Sequence, residues 1–236
     1  MLRRQKLRLC AGLTLAATAL SPPTLLLGGR LYAVRTLAEM VLLFGAAPLV
    51  VMGLNLRRSP FTHPVTGMVV FNVLLVGWQL PVVVALTAGS LLLEAFGDCL
   101  LLLAAIAFWH PVLSGGMAPI ARIGYLLVAG CPPTIPGILL AFARHPLYGA
   151  AYHGTAGMSA LEDQQLAGLI LFGSAKLALV SATFVLLWRM LAASEPPGDD
   201  EDRQDSPVVP PPMPAWLAQL DHPLAAEPRP RARVLR

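Results

Sequence analysis

Charged residues are scarce in this sequence. Lys, Arg, Asp and Glu together make up 13% of its 236 residues, whereas 56% are hydrophobic. A soluble globular domain averages about 25% charged residues, so the composition predicts a membrane protein. The formal net charge is +4, but the basic residues are scattered along the chain rather than clustered. We therefore expect no nucleic-acid partner.

The chain also lacks the usual motifs of enzymes and of metal sites. Its three cysteines, Cys10, Cys99 and Cys131, lie in apolar stretches, and no CxxC occurs. An odd set of this kind does not form a disulfide framework. The sequence has no HExxH, no phosphate-binding glycine loop and no serine–histidine–acid set. These absences predict a protein that is not an enzyme.

Long apolar runs, by contrast, are abundant. A helix needs about 20 mainly apolar residues to cross a bilayer. Six runs meet this criterion, at roughly 9–28, 36–54, 66–88, 90–109, 123–142 and 166–190. They predict an all-α fold, a polytopic membrane helix bundle of six transmembrane spans formed by residues 1–193.

The C-terminal segment, residues 194–236, has a different composition. Its first half, EPPGDDEDRQDSPVVPPPMP, is acidic and rich in proline. Such a segment buries too little apolar surface to offset the conformational entropy lost on ordering. We therefore predict a disordered cytoplasmic tail.

Basic residues in the loops predict the orientation of the bundle. Arg57, Arg58, Arg122 and Arg189 fall on the same side as the basic N-terminus, whereas the loops on the other side hold three arginines. Lys and Arg accumulate on the cytoplasmic side of a membrane. Both termini are therefore predicted to be cytoplasmic.

Ionisable residues inside the predicted spans are conspicuous, because a charge in a bilayer costs about 2.5–3.5 kcal/mol. Arg35 and Glu39 lie four residues apart, as do Glu94 and Asp98, so each pair shares one helix face. We expect a polar intramembrane cluster in the outer half of the membrane, formed by Arg35, Glu39, Gln79, Glu94, Asp98, Asp163, Gln164 and Lys176.

Two interpretations of this cluster stay open. In one, Arg35 and Lys176 offset the carboxylates of Glu39, Glu94 and Asp98, which leaves a formal charge of +2 − 3 = −1 and room for a proton or a cation. In the other, the side chains ring the outer interface and reach water. The short side chain of Asp98 and the depth of Lys176 favour the buried network.

Several segments resemble the CtaG/Caa3-type cytochrome c oxidase assembly factors of bacteria. The most specific is ALEDQQLAGLILF, which is similar to a D-Q-Q-x-x-G segment of that family. HPLYGAAY matches its P-L-Y-x-x-Y, GWQLP its W-H-x-P, and EAFGDCLLLLAAIAFW a helix that opens with two histidines. The resemblance covers most of residues 20–190. It implies a protein of the bacterial inner membrane whose partners are lipid and subunits of an oxidase or another large membrane complex.

The histidines of that family are missing from this chain. The resemblance aligns them with Arg35, Glu39, Gln79, Glu94 and Asp98. Imidazole suits copper, whereas carboxylates suit harder ions. The candidate metal ligands that remain are Glu39, Glu94, Asp98 and Cys99. We expect no bound cofactor, with copper as the alternative.

Three functions are compatible with these observations. The first is an assembly or accessory factor of a haem-copper oxidase-type respiratory complex, without a histidine copper site. The second is a stably bound structural subunit of a larger membrane complex. The third is a proton or ion transporter that uses Asp98 and Lys176. A transporter is expected to have paired broken helices in two related halves, and the sequence predicts a single such break, at CPPTIP.

Overall fold

The computed structural model describes residues 2–54, 63–149, 151–155 and 157–194. The predicted tail beyond Ser194 lies outside these ranges, as do Arg57 and Arg58. The described chain is helical and has no β-strand. Its helices are α1 (Leu2–Ala19), α2 (Pro22–Gly28), α3 (Tyr32–Met40), α4 (Ala47–Leu54), α5 (Pro64–Trp78), α6 (Pro81–Thr87), α7 (Leu91–Leu113), α8 (Pro119–Ala129), α9 (Thr134–Ala141) and α10 (Ala160–Ser194).

The prediction of an all-α membrane protein is confirmed. Within the described residues, four stretches are long and apolar enough to cross a membrane: Tyr32–Leu54, Leu91–Leu113, Pro119–Ala141 and Ala160–Ala192. The number rises to six if each of two bent pairs, α1 with α2 and α5 with α6, counts as one span.

Proline explains why two predicted spans are bent rather than continuous. The helix axis turns by 48° between α1 and α2, which begins at Pro22, and by 72° between α5 and α6, which begins at Pro81. Proline has no backbone N–H and pushes the preceding residue out of the helical conformation. Leu80 accordingly has φ −70° and ψ 135°, which is extended backbone. The break at residues 79–80 places Gln79 at a helix end.

A π-helical segment, Val41–Ala46, joins α3 to α4. Its backbone contacts α7 directly, because the indole N–H of Trp109 donates to the carbonyl oxygen of Leu43 at 2.9 Å. Next to this contact, the rings of Phe71 and Phe108 stack with their centroids 4.4 Å apart. These contacts fix the π-helical segment, α5 and α7 around a common apolar core.

Candidate functional site

The site begins with a buried ion pair on α3. Arg35 Nε lies 3.1 Å from Glu39 Oε1, one helical turn away, and the two residues are 5% and 1% exposed. Residues four apart on a helix are neighbours on its surface, so the spacing itself brings the two side chains together. Both charges therefore lie inside the helix bundle and not at its lipid-facing surface.

The guanidinium of Arg35 connects α3 to three other parts of the chain. Its Nη1 donates to the hydroxyl oxygens of Thr87, at the end of α6, and of Tyr152, in the loop before α10, each at 3.2 Å. The same nitrogen lies 3.9 Å from Glu94 Oε1 on α7. The guanidinium carbon is also 5.6 Å from the centre of the Trp78 ring. Arg35 thus holds α6, α7 and the loop before α10 against α3.

Gln79 extends the network from the break between α5 and α6. Its Nε2 donates to Glu39 Oε2 at 3.1 Å, and its Oε1 accepts a hydrogen bond from the Tyr32 hydroxyl. Its backbone carbonyl accepts from the Tyr148 hydroxyl at 2.5 Å. Gln79 thus uses its amide and its carbonyl to join α3 to the loop that holds Tyr148.

Two further carboxyl groups face Arg35 from α7. Glu94 and Asp98 are 3% and 4% exposed and line a cavity of about 10 Å³ together with Arg35. Arg35 Nη2 and Glu94 Oε1 are buried and make no hydrogen bond within the described residues. A cavity of this size holds about one water molecule, and its polar walls can bind one. One guanidinium therefore faces three carboxyl groups, those of Glu39, Glu94 and Asp98.

Asp163 and Gln164 act on the backbone rather than on the charged cluster. Asp163, in the first turn of α10, accepts hydrogen bonds from the backbone N–H groups of Tyr32 at 2.7 Å and Ala33 at 3.0 Å. Gln164 Oε1 accepts from the backbone N–H groups of Leu147 at 2.5 Å and Tyr148 at 3.3 Å. The two side chains hold the start of α3 and the loop before α10 in place.

Two residues of the predicted site have other surroundings. Lys176 Nζ donates to the carbonyl oxygen of Gly130 at 2.8 Å, at the break between α8 and α9, and lies 5.9 Å from the centre of the Phe172 ring. Among the described residues, Lys176 forms no ion pair with a carboxylate. Cys99 is exposed, although its neighbour Asp98 is buried. The structure therefore brings Arg35, Glu39, Gln79, Glu94 and Asp98 together, without Lys176 or Cys99.

The donor set does not fit copper. No group of three or more His, Cys, Asp or Glu side chains in the described part of the chain is arranged to hold a metal ion. The guanidinium of Arg35 stands against the carboxylates of Glu39 and Glu94, where it presents hydrogen-bond donors and a positive charge. A guanidinium has no lone pair to offer a metal. These residues are arranged for an internal ion pair.

Sequence reasoning missed three hydroxyl groups of the site, on Tyr32, Thr87 and Tyr152. Each is buried and donates to or accepts from the polar cluster. Burial raises the pKa of Tyr152 above its ordinary value, so this loop hydroxyl stays neutral beside Arg35. Tyr152 lies 117 residues from Arg35 in the chain, and no spacing rule links the two. The sequence feature that points to this loop is the spacing of Tyr148 and Tyr152, which lie four residues apart after α9.

No curated protein and no solved structure matches the chain. The family model of the cytochrome c oxidase caa3 assembly factors, Caa3_CtaG, matches residues 3–193. This range contains every residue of the site and all ten helices, apart from the first residue of α1 and the last residue of α10. The chain therefore belongs to the cytochrome c oxidase caa3 assembly factor family.

Proposed function

We propose that this protein is a non-enzymatic assembly or accessory factor of a haem-copper oxidase-type respiratory complex, and that it acts without a copper site. Membership of the assembly factor family supports the first part. The observation that carries the second part is the position of the Arg35 guanidinium, 3.1 Å from one carboxylate and 3.9 Å from another. In this protein the polar cluster holds the bundle in one shape, and that shape is what the oxidase subunits recognise.

The ligand chemistry supports the same proposal. Copper in proteins is held mainly by imidazole, thiolate and thioether groups. The polar cluster contains none of these, because Gln79, Glu94 and Asp98 supply amide and carboxyl oxygens and Cys99 is exposed. A charged cluster of this kind instead binds helices to one another, since breaking one member leaves another charge buried and unpaired.

We also propose that the protein lies in the bacterial inner membrane with both termini in the cytoplasm. The basic start of α1, which holds Arg3, Arg4, Lys6 and Arg8, supports this orientation by the positive-inside rule. In this orientation the polar cluster lies near the outer surface, where it can meet the outer parts of oxidase subunits.

A permanent structural subunit is the second candidate, and the surface of α10 favours it. Little of its membrane-spanning stretch, Ala160–Ala192, is buried within the chain. Large apolar side chains, among them Leu177, Phe184 and Trp188, are exposed along it. Lipid covers such a face in a free protein, and a neighbouring subunit covers it in a stable complex.

Stoichiometry distinguishes the two candidates. We would purify the oxidase from cells that carry a tagged chain and quantify both proteins, and measure oxidase activity in membranes that lack the chain. An assembly factor is substoichiometric in the mature complex, and its loss lowers oxidase activity. A permanent subunit is recovered one to one. Full oxidase activity without the chain, together with no oxidase subunit in the purified material, would overturn both.

Metal analysis tests the copper part of the proposal separately. The detergent-purified protein, produced in copper-supplemented medium, is compared with a Glu39→Ala/Asp98→Ala variant and with a Cys99→Ala control. We expect no stoichiometric copper in any of the three. Near-stoichiometric copper that is lost only in the double variant would show that carboxylates hold the metal, and would refute the proposal.

A further inference from the structure

A second polar cavity lies at the opposite end of Tyr32–Leu54 from the charged cluster. Its volume is about 230 Å³. The polar side chains that line it are Gln5, Arg8, His110 and Ser114, and Val51 and Met52 form part of its apolar wall. The volume is below the range of about 300–1,000 Å³ usual for drug-sized ligands, and so it suits a group of headgroup size.

The four polar residues come from two helices, and each helix contributes two of them from one face. Gln5 and Arg8 are three residues apart on α1, and His110 and Ser114 are four residues apart at the end of α7. Each spacing places both members on one helix face, so two polar faces meet across the cavity. Their side chains supply one full positive charge and several hydrogen-bond donors, which is the chemistry that anions require.

Close packing of α1 against α4 holds the α1 face in place. A Cβ atom at Gly12 would lie 2.9 Å from the backbone nitrogen of Val50, and one at Gly53 would lie 2.6 Å from Cβ of Leu9. Approach this close is open to glycine alone. Because Leu9 adjoins Arg8 in α1, this packing fixes the stretch of backbone that carries Arg8.

Among the described residues, the charged side chains next to the cavity are basic. Within residues 2–194 the acidic side chains are Glu39, Glu94, Asp98, Glu162 and Asp163, and none of them lies on α1 or lines the cavity. The charged side chains in the first turns of α1 are all basic, namely Arg3, Arg4, Lys6 and Arg8. Within this part of the chain, the charges next to the cavity therefore favour anions over cations.

The cavity also lies at the level of the membrane surface. Met52 and Leu113 line it, and the apolar stretches Tyr32–Leu54 and Leu91–Leu113 end at this point. The phosphate groups of phospholipids occupy the same level, and basic pockets between membrane helices bind anionic headgroups.

We propose that this cavity binds a phosphate group, as carried by an anionic phospholipid or by free inorganic phosphate. Arg8 supplies the charge, and Gln5 and Ser114 supply side-chain donors to the phosphate oxygens, with His110 as part of the polar wall. The site is independent of the proposed role in oxidase assembly, and its test does not use an oxidase.

The test is native mass spectrometry of the full chain, purified in detergent and titrated with phosphatidylglycerol or with phosphatidylcholine of the same acyl chains. We expect one phosphatidylglycerol to bind in preference to phosphatidylcholine. Arg8→Gln should weaken this binding about fivefold, the effect of one basic contact with an anionic headgroup. Ser114→Asp, which adds a negative charge at the rim, should weaken it as well. A parallel arm measures the shift in melting temperature that inorganic phosphate produces in each variant.

Lys6→Gln is the matched control, because Lys6 is an exposed basic residue of α1 that does not line the cavity. This variant should bind phosphatidylglycerol as the wild type does. Equal weakening by Arg8→Gln and Lys6→Gln would mean general attraction to a basic surface and would overturn the site. The site is also overturned if the protein does not prefer phosphatidylglycerol to phosphatidylcholine and if inorganic phosphate produces no shift in melting temperature that depends on Arg8. An Arg8-dependent shift in melting temperature with inorganic phosphate, without a preference for phosphatidylglycerol, identifies free phosphate as the ligand.

Discussion

The carboxylate of Asp163 accepts a hydrogen bond of 2.7 Å from the backbone N–H of Tyr32, 131 residues earlier in the chain. The first N–H groups of any helix have no partner within that helix. The residue preceding α3, Leu31, offers no side chain to cap them, and Asp163 from α10 takes that place. The negative charge also lies at the positive end of the α3 dipole. Asp163 is therefore a helix cap supplied by a distant helix, and it holds α10 against the helix that bears Arg35.

Asp163→Asn should destabilise the fold because the amide that replaces the carboxylate carries no charge and one fewer acceptor. A hydrogen bond to a charged group contributes about 1.5–3 kcal/mol, and we expect a loss of that size in the free energy of unfolding. The measurement is reversible unfolding in mixed detergent micelles. Glu162→Gln is the control, because Glu162 is exposed and, within the described part of the chain, its carboxylate accepts hydrogen bonds from Ser159, three residues away. Equal losses for the two variants would contradict the capping role.

Arg35→Met should be among the most damaging substitutions in the cluster. It leaves the carboxylate of Glu39 buried without its positive partner, and breaking a buried pair in this way costs about 3–5 kcal/mol. Adding Glu39→Leu should recover part of the loss, since the unpaired charge is then removed. A double-mutant cycle measures the coupling, which we expect at about 0.5–3 kcal/mol for residues in contact. The same cycle with Glu162→Gln in place of Glu39→Leu should give additive effects. A coupling of zero between Arg35 and Glu39 would refute the ion pair as a stabilising contact.

Lys176 and Asp98 should act independently of each other. Lys176 donates to the Gly130 carbonyl, and Asp98 lies in the cavity with Arg35 and Glu94. Lys176→Met should therefore cost about 1.5–3 kcal/mol through the lost hydrogen bond of its charged ammonium group, with or without Asp98→Leu in the same chain. Additive unfolding free energies would agree with this arrangement. Recovery of stability in the double variant would instead place the two side chains in one ion-pair network, as the sequence suggested.

Gly97→Ala should disrupt the site by displacing Trp78. A Cβ atom at Gly97 would overlap the six-membered ring of Trp78, the ring that lies beside the Arg35 guanidinium. Overpacking of this kind typically costs about 1–3 kcal/mol. Trp78 fluorescence and thermal unfolding together would report the displacement. Gly77→Ala is the control, because a Cβ there has no neighbour within 4 Å, and in α5 it should be neutral or stabilise by up to about 1 kcal/mol. A Gly97→Ala protein as stable as Gly77→Ala would contradict the packing.

Some of this structure follows directly from the sequence. Apolar runs predict the membrane helices, and the four-residue spacing of Arg35 and Glu39 predicts their contact, because both features depend on residues that are close in the chain. The bends at Pro22 and Pro81 follow from the prolines, whereas apolar runs alone predict two continuous spans. The helix start at Leu2 was missed because an apolar criterion omits Arg and Lys, which are good helix formers.

Contacts between distant segments were beyond the sequence. The sequence indicates that Lys176 lies deep in its span, but it does not indicate which residue Lys176 contacts. Its partner is the backbone carbonyl of Gly130, at the break after Ala129, and the spacing of side chains does not reveal a free backbone carbonyl. The same holds for Tyr152, which reaches Arg35 only because the loop before α10 folds over the start of α3. Depth in the membrane can be estimated from one helix, whereas rotation of that helix about its axis depends on the others.

The π-helical segment Val41–Ala46 sets the angular phase between the two halves of its span. A π turn accommodates an additional residue, and each residue of a helix advances the chain by about 100° around the axis. Deletion of one residue within this segment would restore regular winding and turn Arg35 and Glu39 by about that angle relative to Val50 and Val51. The ion pair would then point toward lipid. The additional residue therefore sets the rotation of α3 relative to α4, so that the charged face of α3 and the apolar face of α4 both point into the bundle.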